Sequence, residues 1–432
     1  MTASERPTSS PSLGRASSLA CPPSPLWAVL AFAFINSLGS GVVSNGIFFM
    51  AKENFGFSPS QNYLLAIIYG LAYIPAAMAI GPLLRRMTAA HGLFNPRLAV
   101  ATCIVVMAIT CWLPWFGQWL AGTPKPPAWT LWALMPIYSA CCGLLWPMVE
   151  SFLSGGRTGL QLRSAIGRFN VSWSSALVIG MLAVSPLAQT QGVLALQLIG
   201  VCHILSLVTL IPFPTFPAKH EHHAQGRPHP AVYFQLLALF RWLLPLAYVV
   251  LAALIPYLPI ATSQLALSIG VGAAIGAVWP ASRCLCFLAL ERWHGWHGRW
   301  ATPVVGVACL LCGFILAVLA PILLPWTPGL VGLMAGLVIF GTGMATIYAA
   351  ALYYTMEVGA AEVEAGGLFE TLIGTGYVIG PGCGLVAVGL ASGGFISVGQ
   401  REPLMIALVS AVAAIILVFA IRQARRSRVA VT

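Results

Sequence analysis

Twelve apolar stretches, each long enough to cross ~30 Å of hydrocarbon, recur along the chain. They run over 26–50, 62–84, 98–118, 128–151, 165–188, 192–213, 234–257, 262–285, 302–325, 329–356, 366–390 and 403–421. Lipid offers no water to satisfy backbone N–H and C=O groups, so each stretch is read as a helix that satisfies its own. Composition points the same way. The chain is 59% hydrophobic and 7% charged, where a soluble protein carries roughly 25% charged residues. Asp is absent and all ten acids are Glu. That scarcity argues against a soluble enzyme and makes each buried acid informative.

The net charge of +11 flanks the apolar stretches, so orientation in a membrane accounts for it better than nucleic-acid binding. With an even number of spans both tails share one side. The other side carries only Lys52, Lys125 and Arg401. The remaining basic residues fall on the tail side or at helix ends facing it, among them Arg85, Arg86, Arg97, Arg157, Arg163, Arg292, Arg299 and the run from Arg422 to Arg428. The positive-inside rule then places both termini in the cytoplasm of a multi-pass cell-membrane protein, inner or plasma.

Residues 1–25 are polar and rich in Ser and Pro, and read as a disordered cytosolic tail. The first span is too long for a signal-peptide core and is taken as retained. The stretch 215–233 is a polar, His-rich cytosolic linker between a bundle over 26–214 and a second over 234–421, with a basic tail over 422–432. His220, His222, His223 and His229 in that linker suit a divalent metal or simply a solvated connector. The eleven Cys form no secreted disulfide framework; most lie inside apolar runs and act as small apolar residues. Cys309 and Cys312 have metal-motif spacing but no nearby His or second pair, so no metal and no cofactor is expected.

The second half repeats the first. Gly167-Arg168-Phe169-Asn170 answers to Gly367-Leu368-Phe369-Glu370, and Val178-Ile179-Gly180 to Val378-Ile379-Gly380, about 200 positions later. Pro82-Leu-Leu-Arg85 ends the second span as Pro280-Ala-Ser-Arg283 ends the eighth, at nearly the same offset. Leu145-Trp146-Pro147 of the fourth span has Ile347-Tyr348-Ala349 as its counterpart in the tenth. The expected fold is an all-α polytopic membrane protein with twelve transmembrane helices in two pseudo-symmetric six-helix bundles. A central site between the halves follows from that layout.

Six plus six spans, a central linker and matched loops after spans 2 and 8 resemble the major facilitator superfamily of transporters. Its loop pattern, Gly-x-Leu-x-Asp-Arg-x-Gly-Arg, is degraded here to Gly81-Pro82-Leu83-Leu84-Arg85-Arg86-Met87. Arg85 stands at the acidic position, which puts the latch formed by that acid in doubt. The run Gly366 to Gly382 looks like the eleventh helix of many members. The resemblance implies a secondary active transporter in which two bundles rock about a midplane site bounded by spans 1, 4, 5, 7, 10 and 11. It implies a small organic solute as partner, driven by protons or by no ion, and a monomer in the bilayer. A receptor or scaffold on a transporter-like fold is the alternative. A membrane-embedded enzyme has less to support it, with no Asp and one intramembrane His.

The residues themselves nominate a site. Ser37, Gly41, Ser44 and Asn45 share one face of the first span, which must look at protein or water rather than lipid. The tenth span has Thr342, Thr346, Ala349 and Tyr353 in a similar stripe. Trp146, Asn170, Trp173, Tyr348 and Tyr377 complete the candidate solute contacts, with Trp173 and Tyr348 able to stack on a ring.

Glu150, four residues after Trp146, is a static anchor, a gate or a proton carrier, and Arg168 or Arg163 is its candidate partner. Glu370 replaces the amide of Asn170 in the repeat. It suits reversible protonation, or else it is a helix N-terminal Glu open to water. Gly374, Gly376 and Gly380 read as close helix packing. His203 reads as a hydrogen-bonding neighbour or a relay.

Overall fold

The computed structural model describes residues 22–91, 95–218, 230–358 and 363–429. The tail 1–25 and the linker 215–233, with its four histidines, lie largely outside the described residues. Among the described residues twelve helices are long and apolar enough to cross a membrane: Leu26–Asn54, Pro59–Arg86, Pro96–Ala121, Trp129–Ser154, Gly159–Thr190, Gly192–Leu210, Ala231–Gln264, Ile269–Arg292, Ala301–Leu323, Trp326–Val358, Gly366–Ser392 and Val398–Arg426. No strand occurs among the described residues. Local chemistry sets several helix starts. The Asn95 side chain accepts from Leu98 N at 3.0 Å with Pro96 at the first helical position. Ser268 caps the eighth span through Val271 N.

The spans form two six-helix bundles. The second span lies against the eleventh and the fifth against the eighth, so the two bundles meet along a seam related by the internal repeat. The seventh span is covered by protein over the stretch from Leu243 to Thr262, whereas the twelfth faces mostly outward.

The repeated glycines have one shared purpose. A Cβ on Gly180 would stand 2.5 Å from the backbone oxygen of Leu38 in the first span. A Cβ on Gly380 would stand 2.1 Å from that of Val249 in the seventh. Each lets the fifth or eleventh helix touch the backbone of its bundle partner; Gly376 approaches the backbone of Tyr248 in the same way, whereas Gly374 makes room for the Ile74 side chain of the second span across the seam.

One expected boundary moves, and its consequence is large. The seventh span does not stop near 257. Pro256 and Pro259 occupy early positions of short helical turns, where a missing N–H costs nothing, and the helix continues to Gln264. The eighth span therefore runs from Ile269 to Arg292 rather than over 262–285. Pro280-Ala-Ser-Arg283 does not end it, and Arg283 is neither a loop residue nor a tail-side charge. The supposed match with Pro82–Arg85 is a chance one. Gly143 of the fourth span packs on the second at Tyr73, and Gly341 of the tenth packs on the eighth at Trp279, so Tyr73 answers to Trp279.

Candidate functional site: a polar cavity between the bundles

The first span carries its polar stripe through a π turn over Val42–Gly46. Such turns insert an extra residue, redirect the side chains that follow, and occur often at functional sites. Ser44 Oγ bonds Ser40 O at 2.8 Å and Asn45 Nδ2 bonds Gly41 O at 2.8 Å, whereas the buried Ser37 hydroxyl on the same face has no hydrogen-bond partner. This face forms one wall of a cavity of about 90 Å³, the volume open to the centre of a water molecule. At ~10–15 Å³ per water that is room for several.

The walls come from equivalent places in the two halves. Spans 1, 2, 4 and 5 contribute Ser37, Ser40, Ser44, Asn45, Tyr69, Tyr73, Cys142, Trp146 and Trp173; spans 7, 8, 10 and 11 contribute Tyr248, Trp279, Arg283, Tyr348, Glu370 and Tyr377. Rings dominate. Tyr69 and Tyr377 meet edge-on at 5.1 Å, Tyr248 and Tyr377 at 5.3 Å, and Trp173 and Tyr348 at 5.4 Å across the seam.

Two charged groups stand in this wall. The Tyr73 hydroxyl donates to the Glu370 carboxylate, linking the second span to the eleventh. Behind Glu370 is Glu150. Gly366 makes the approach possible, since a Cβ there would come within 3.2 Å of both Pro147 Cα and Glu150 Oε2. The Glu150 and Glu370 carboxyls are neighbours, yet Glu150 Oε2 has no conventional donor. A bond between two carboxyls forms only when one of them holds a proton. Arg283 is 2% exposed. Its guanidinium lies 4.2 Å from the Trp173 ring and 4.5 Å from Trp279, and its Nε donates to Ser174 Oγ at 3.3 Å.

Cross-bundle hydrogen bonds lie on both sides of the cavity. On the side away from the chain ends, Lys52 Nζ donates to Pro259 O at 3.2 Å and Ser185 Oγ to Gly270 O at 2.7 Å. On the tail side, Arg163 donates to Tyr353 Oη at 3.1 Å. Two matched halves around a polar, ring-lined cavity, with cross-bundle contacts on either side of it, is a carrier's architecture. A sequence profile of the Major Facilitator Superfamily matches residues 29–381.

The chain belongs to that family. This facilitator also shares its fold with solved structures. The human organic anion transporter MFSD10 (TETRAN) is 12% identical, with 92% of this chain and 98% of that chain covered and a TM-score of 0.59. The nucleoside transporter NupG is 12% identical, with 91% and 98% covered and a TM-score of 0.58. No curated protein matches it in sequence. The facilitator is a multi-pass membrane protein and a secondary transporter by family.

Its cavity takes Ser37, Ser44, Asn45, Trp146, Trp173, Tyr348, Tyr377 and Glu370 of the residues nominated by sequence. Others go elsewhere. Asn170 accepts from Trp173 Nε1 at 3.1 Å and positions that ring from behind. Thr346 bonds Thr342 O within its own helix and packs near Cys286 of the eighth span, so it faces the interior of its bundle. Arg168 is exposed. Neither it nor Arg163 pairs with Glu150: Arg163 is committed to Tyr353, and Glu150 faces Glu370. His203 sits between Tyr138 Oη at 2.7 Å and Asn36 Oδ1 at 2.9 Å in the first bundle, away from the cavity. Among the described residues no three His, Cys or Glu side chains converge to hold a metal.

Arg283 is the charged cavity residue that spacing and repeats did not single out for the site. An arginine inside an apolar run is itself the signal, and the misplaced join between spans 7 and 8 hid it. Tyr69, Tyr73, Tyr248 and Trp279 were hidden among many similar aromatics.

Tyr353 belongs to the tail-side contact between the bundles through Arg163. The edge of its ring meets His297 at 4.5 Å, and His297 stacks on Trp296 at 3.8 Å. His297 lies between spans 8 and 9. Burial, with Arg163 nearby as a smaller cause, pushes its pKa down to about 4. A depressed histidine contributes stability that is whole above its unfolded value near 6.5 and is lost as pH falls through the folded value. The melting temperature is therefore expected to drop between pH 6.5 and 4, and His297→Gln is expected to flatten that drop. Parallel curves for the two proteins would show that His297 does not report on this contact.

Proposed function

We propose that the chain carries a small organic solute across the cell membrane by alternating access, coupled to protons, with both termini in the cytoplasm. The observation that supports this best is the contact between Glu370 and Glu150 at the tail-side end of the cavity. Two adjoining carboxyls can share one proton through a hydrogen bond. Glu370 belongs to the second bundle, and Glu150 and Tyr73 to the first. A proton arriving or leaving there changes the interaction between the bundles and biases their rocking. The groups that face Glu370 are Tyr73 and Tyr69 of the second span, Cys142 and Glu150 of the fourth, Tyr248 of the seventh, Tyr348 of the tenth and Tyr377 of its own helix. Among the described residues Glu370 is the only acid in the cavity wall. The domain division at 215–233 rests on the polar, proline-interrupted composition of that stretch, and the cytoplasmic placement on the distribution of Lys and Arg.

The test is uptake into sealed vesicles containing the purified protein, with labelled organic anions and nucleosides as the starting panel. These are the classes named for the structural relatives. With the outside more acidic, at least one solute is expected to accumulate, and a protonophore is expected to abolish the accumulation. Accumulation that ignores the protonophore would remove the proton from the mechanism. Failure of every solute to enter would count against transport itself.

A further inference from the structure

Among the described residues that line the cavity, Arg283 is the only cation. It has no counter-charge: no carboxylate among the described residues pairs with it, and Glu370 is bonded to Tyr73 instead. Its Nη2 is buried without a hydrogen-bond partner. An uncompensated charge in a spanning segment is costly to keep, and such groups mark the path of a ligand. The residue is also held in place. Two indoles flank the guanidinium and Ser174 takes Nε, so the free edge of the fork has a set direction. A planar fork of N–H donors matches a carboxylate, which it binds through paired, charge-assisted hydrogen bonds.

The surroundings narrow the body attached to that carboxylate. Trp173, Tyr248 and Tyr348 line the cavity together with Arg283; Trp173 and Tyr348 meet edge-on at 5.4 Å, while the buried Trp279 backs the guanidinium. An inorganic anion would leave the lining rings uncovered; a flat ring would cover them. Room for about half a dozen waters corresponds to on the order of 200 Å³ of liquid, enough for one ring and its substituent. We propose that Arg283 anchors the carboxylate of the transported solute while the rings around it clasp a flat body, so that the substrate class is the small aromatic carboxylates. This deepens the transport reading above and rests on it.

Binding can be tested without transport. The purified full-length protein is titrated with benzoate, phenylacetate and nicotinate, with benzamide as the uncharged isostere and nitrate as a ringless anion. Tryptophan fluorescence and melting temperature are the readouts. At least one carboxylate is expected to quench fluorescence saturably and raise the melting temperature, with benzamide and nitrate at least about tenfold weaker. Arg283→Gln is expected to erase the preference for carboxylate over amide, and Arg283→Lys to keep part of it. Trp173→Phe is expected to weaken carboxylate and amide alike.

Three results would overturn the proposal: no carboxylate binds, benzamide binds as well as benzoate, or Arg283→Gln keeps the preference. An arginine that only tethers the bundles would change the melting temperature of the unliganded protein and leave the preference intact. If Arg283→Gln does not fold, the Lys variant and the wild-type comparison of benzoate with benzamide still decide. Carboxylate binding without accumulation in vesicles would leave the Arg283 assignment standing and count against transport alone.

Discussion

Replacing Glu370 with Gln is expected to leave vesicles unable to concentrate solute, with the inside-to-outside ratio falling to about one, while exchange of solute for solute continues. The substitution keeps the volume of the side chain, and its amide oxygen can still accept from Tyr73, whose hydroxyl now donates to the carboxylate. What it removes is the capacity to bind and release a proton at the contact with Glu150. Exchange needs the bundles to rock with solute bound; accumulation also needs the proton to travel with it. Counterflow and gradient-driven uptake, measured on one vesicle preparation, separate the two. Full concentrative uptake by the Gln variant would return Glu370 to the plain role of a helix-start acid. Glu370→Ala is less informative, because it leaves the buried Tyr73 hydroxyl unpaired at a cost of about 1–3 kcal/mol and mixes stability with coupling.

The largest loss of stability is expected at Gly380. A Cβ there would stand 2.1 Å from Val249 O and 2.9 Å from Ala253 N. Both are backbone atoms of the most enclosed helix, so no side-chain rotation relieves the clash. Overpacking costs ~1–3 kcal/mol where side chains can adjust, and more where backbone must move. Gly380→Ala is accordingly placed at about 3 kcal/mol or above, a fall of several degrees in melting temperature in detergent. Gly180→Ala, with Leu38 O at 2.5 Å, is expected to behave alike, because it is the same contact in the other half. Gly382 has nothing within 4 Å of its would-be Cβ and serves as the control. If Gly380→Ala melted together with Gly382→Ala, the close approach of the eleventh and seventh helices would be wrong.

The candidate site was legible in sequence to different depths. The stripe from Ser37 to Asn45 was visible because a single helix face that avoids lipid can be read from spacing alone. The same reasoning misled at Thr346 and Tyr353. A polar stripe says that a face is sheltered, but not whether a cavity, the bundle interior or a contact between the bundles shelters it. Glu370 stood out as a titratable group at a repeated amide position. Its partner did not, since Glu150 and Tyr73 reach it across the seam between bundles.

The number of spans, their helical character and the two-fold layout were determined by the sequence alone, because hydrocarbon imposes a one-dimensional demand. A segment must be long enough, apolar enough and internally hydrogen-bonded, and each condition can be counted along the chain. The glycines of the repeat belong here too, since only small residues let helix backbones touch. Tertiary structure alone decided the rest: that Pro256 and Pro259 are absorbed into one long helix, that Arg283 therefore stands in mid-span between Trp173 and Trp279, and that Glu150 meets Glu370 rather than an arginine. Those outcomes depend on how far each helix is rotated about its axis and which remote helix it faces. That rotation is set by packing between surfaces distant in sequence, which no local pattern records.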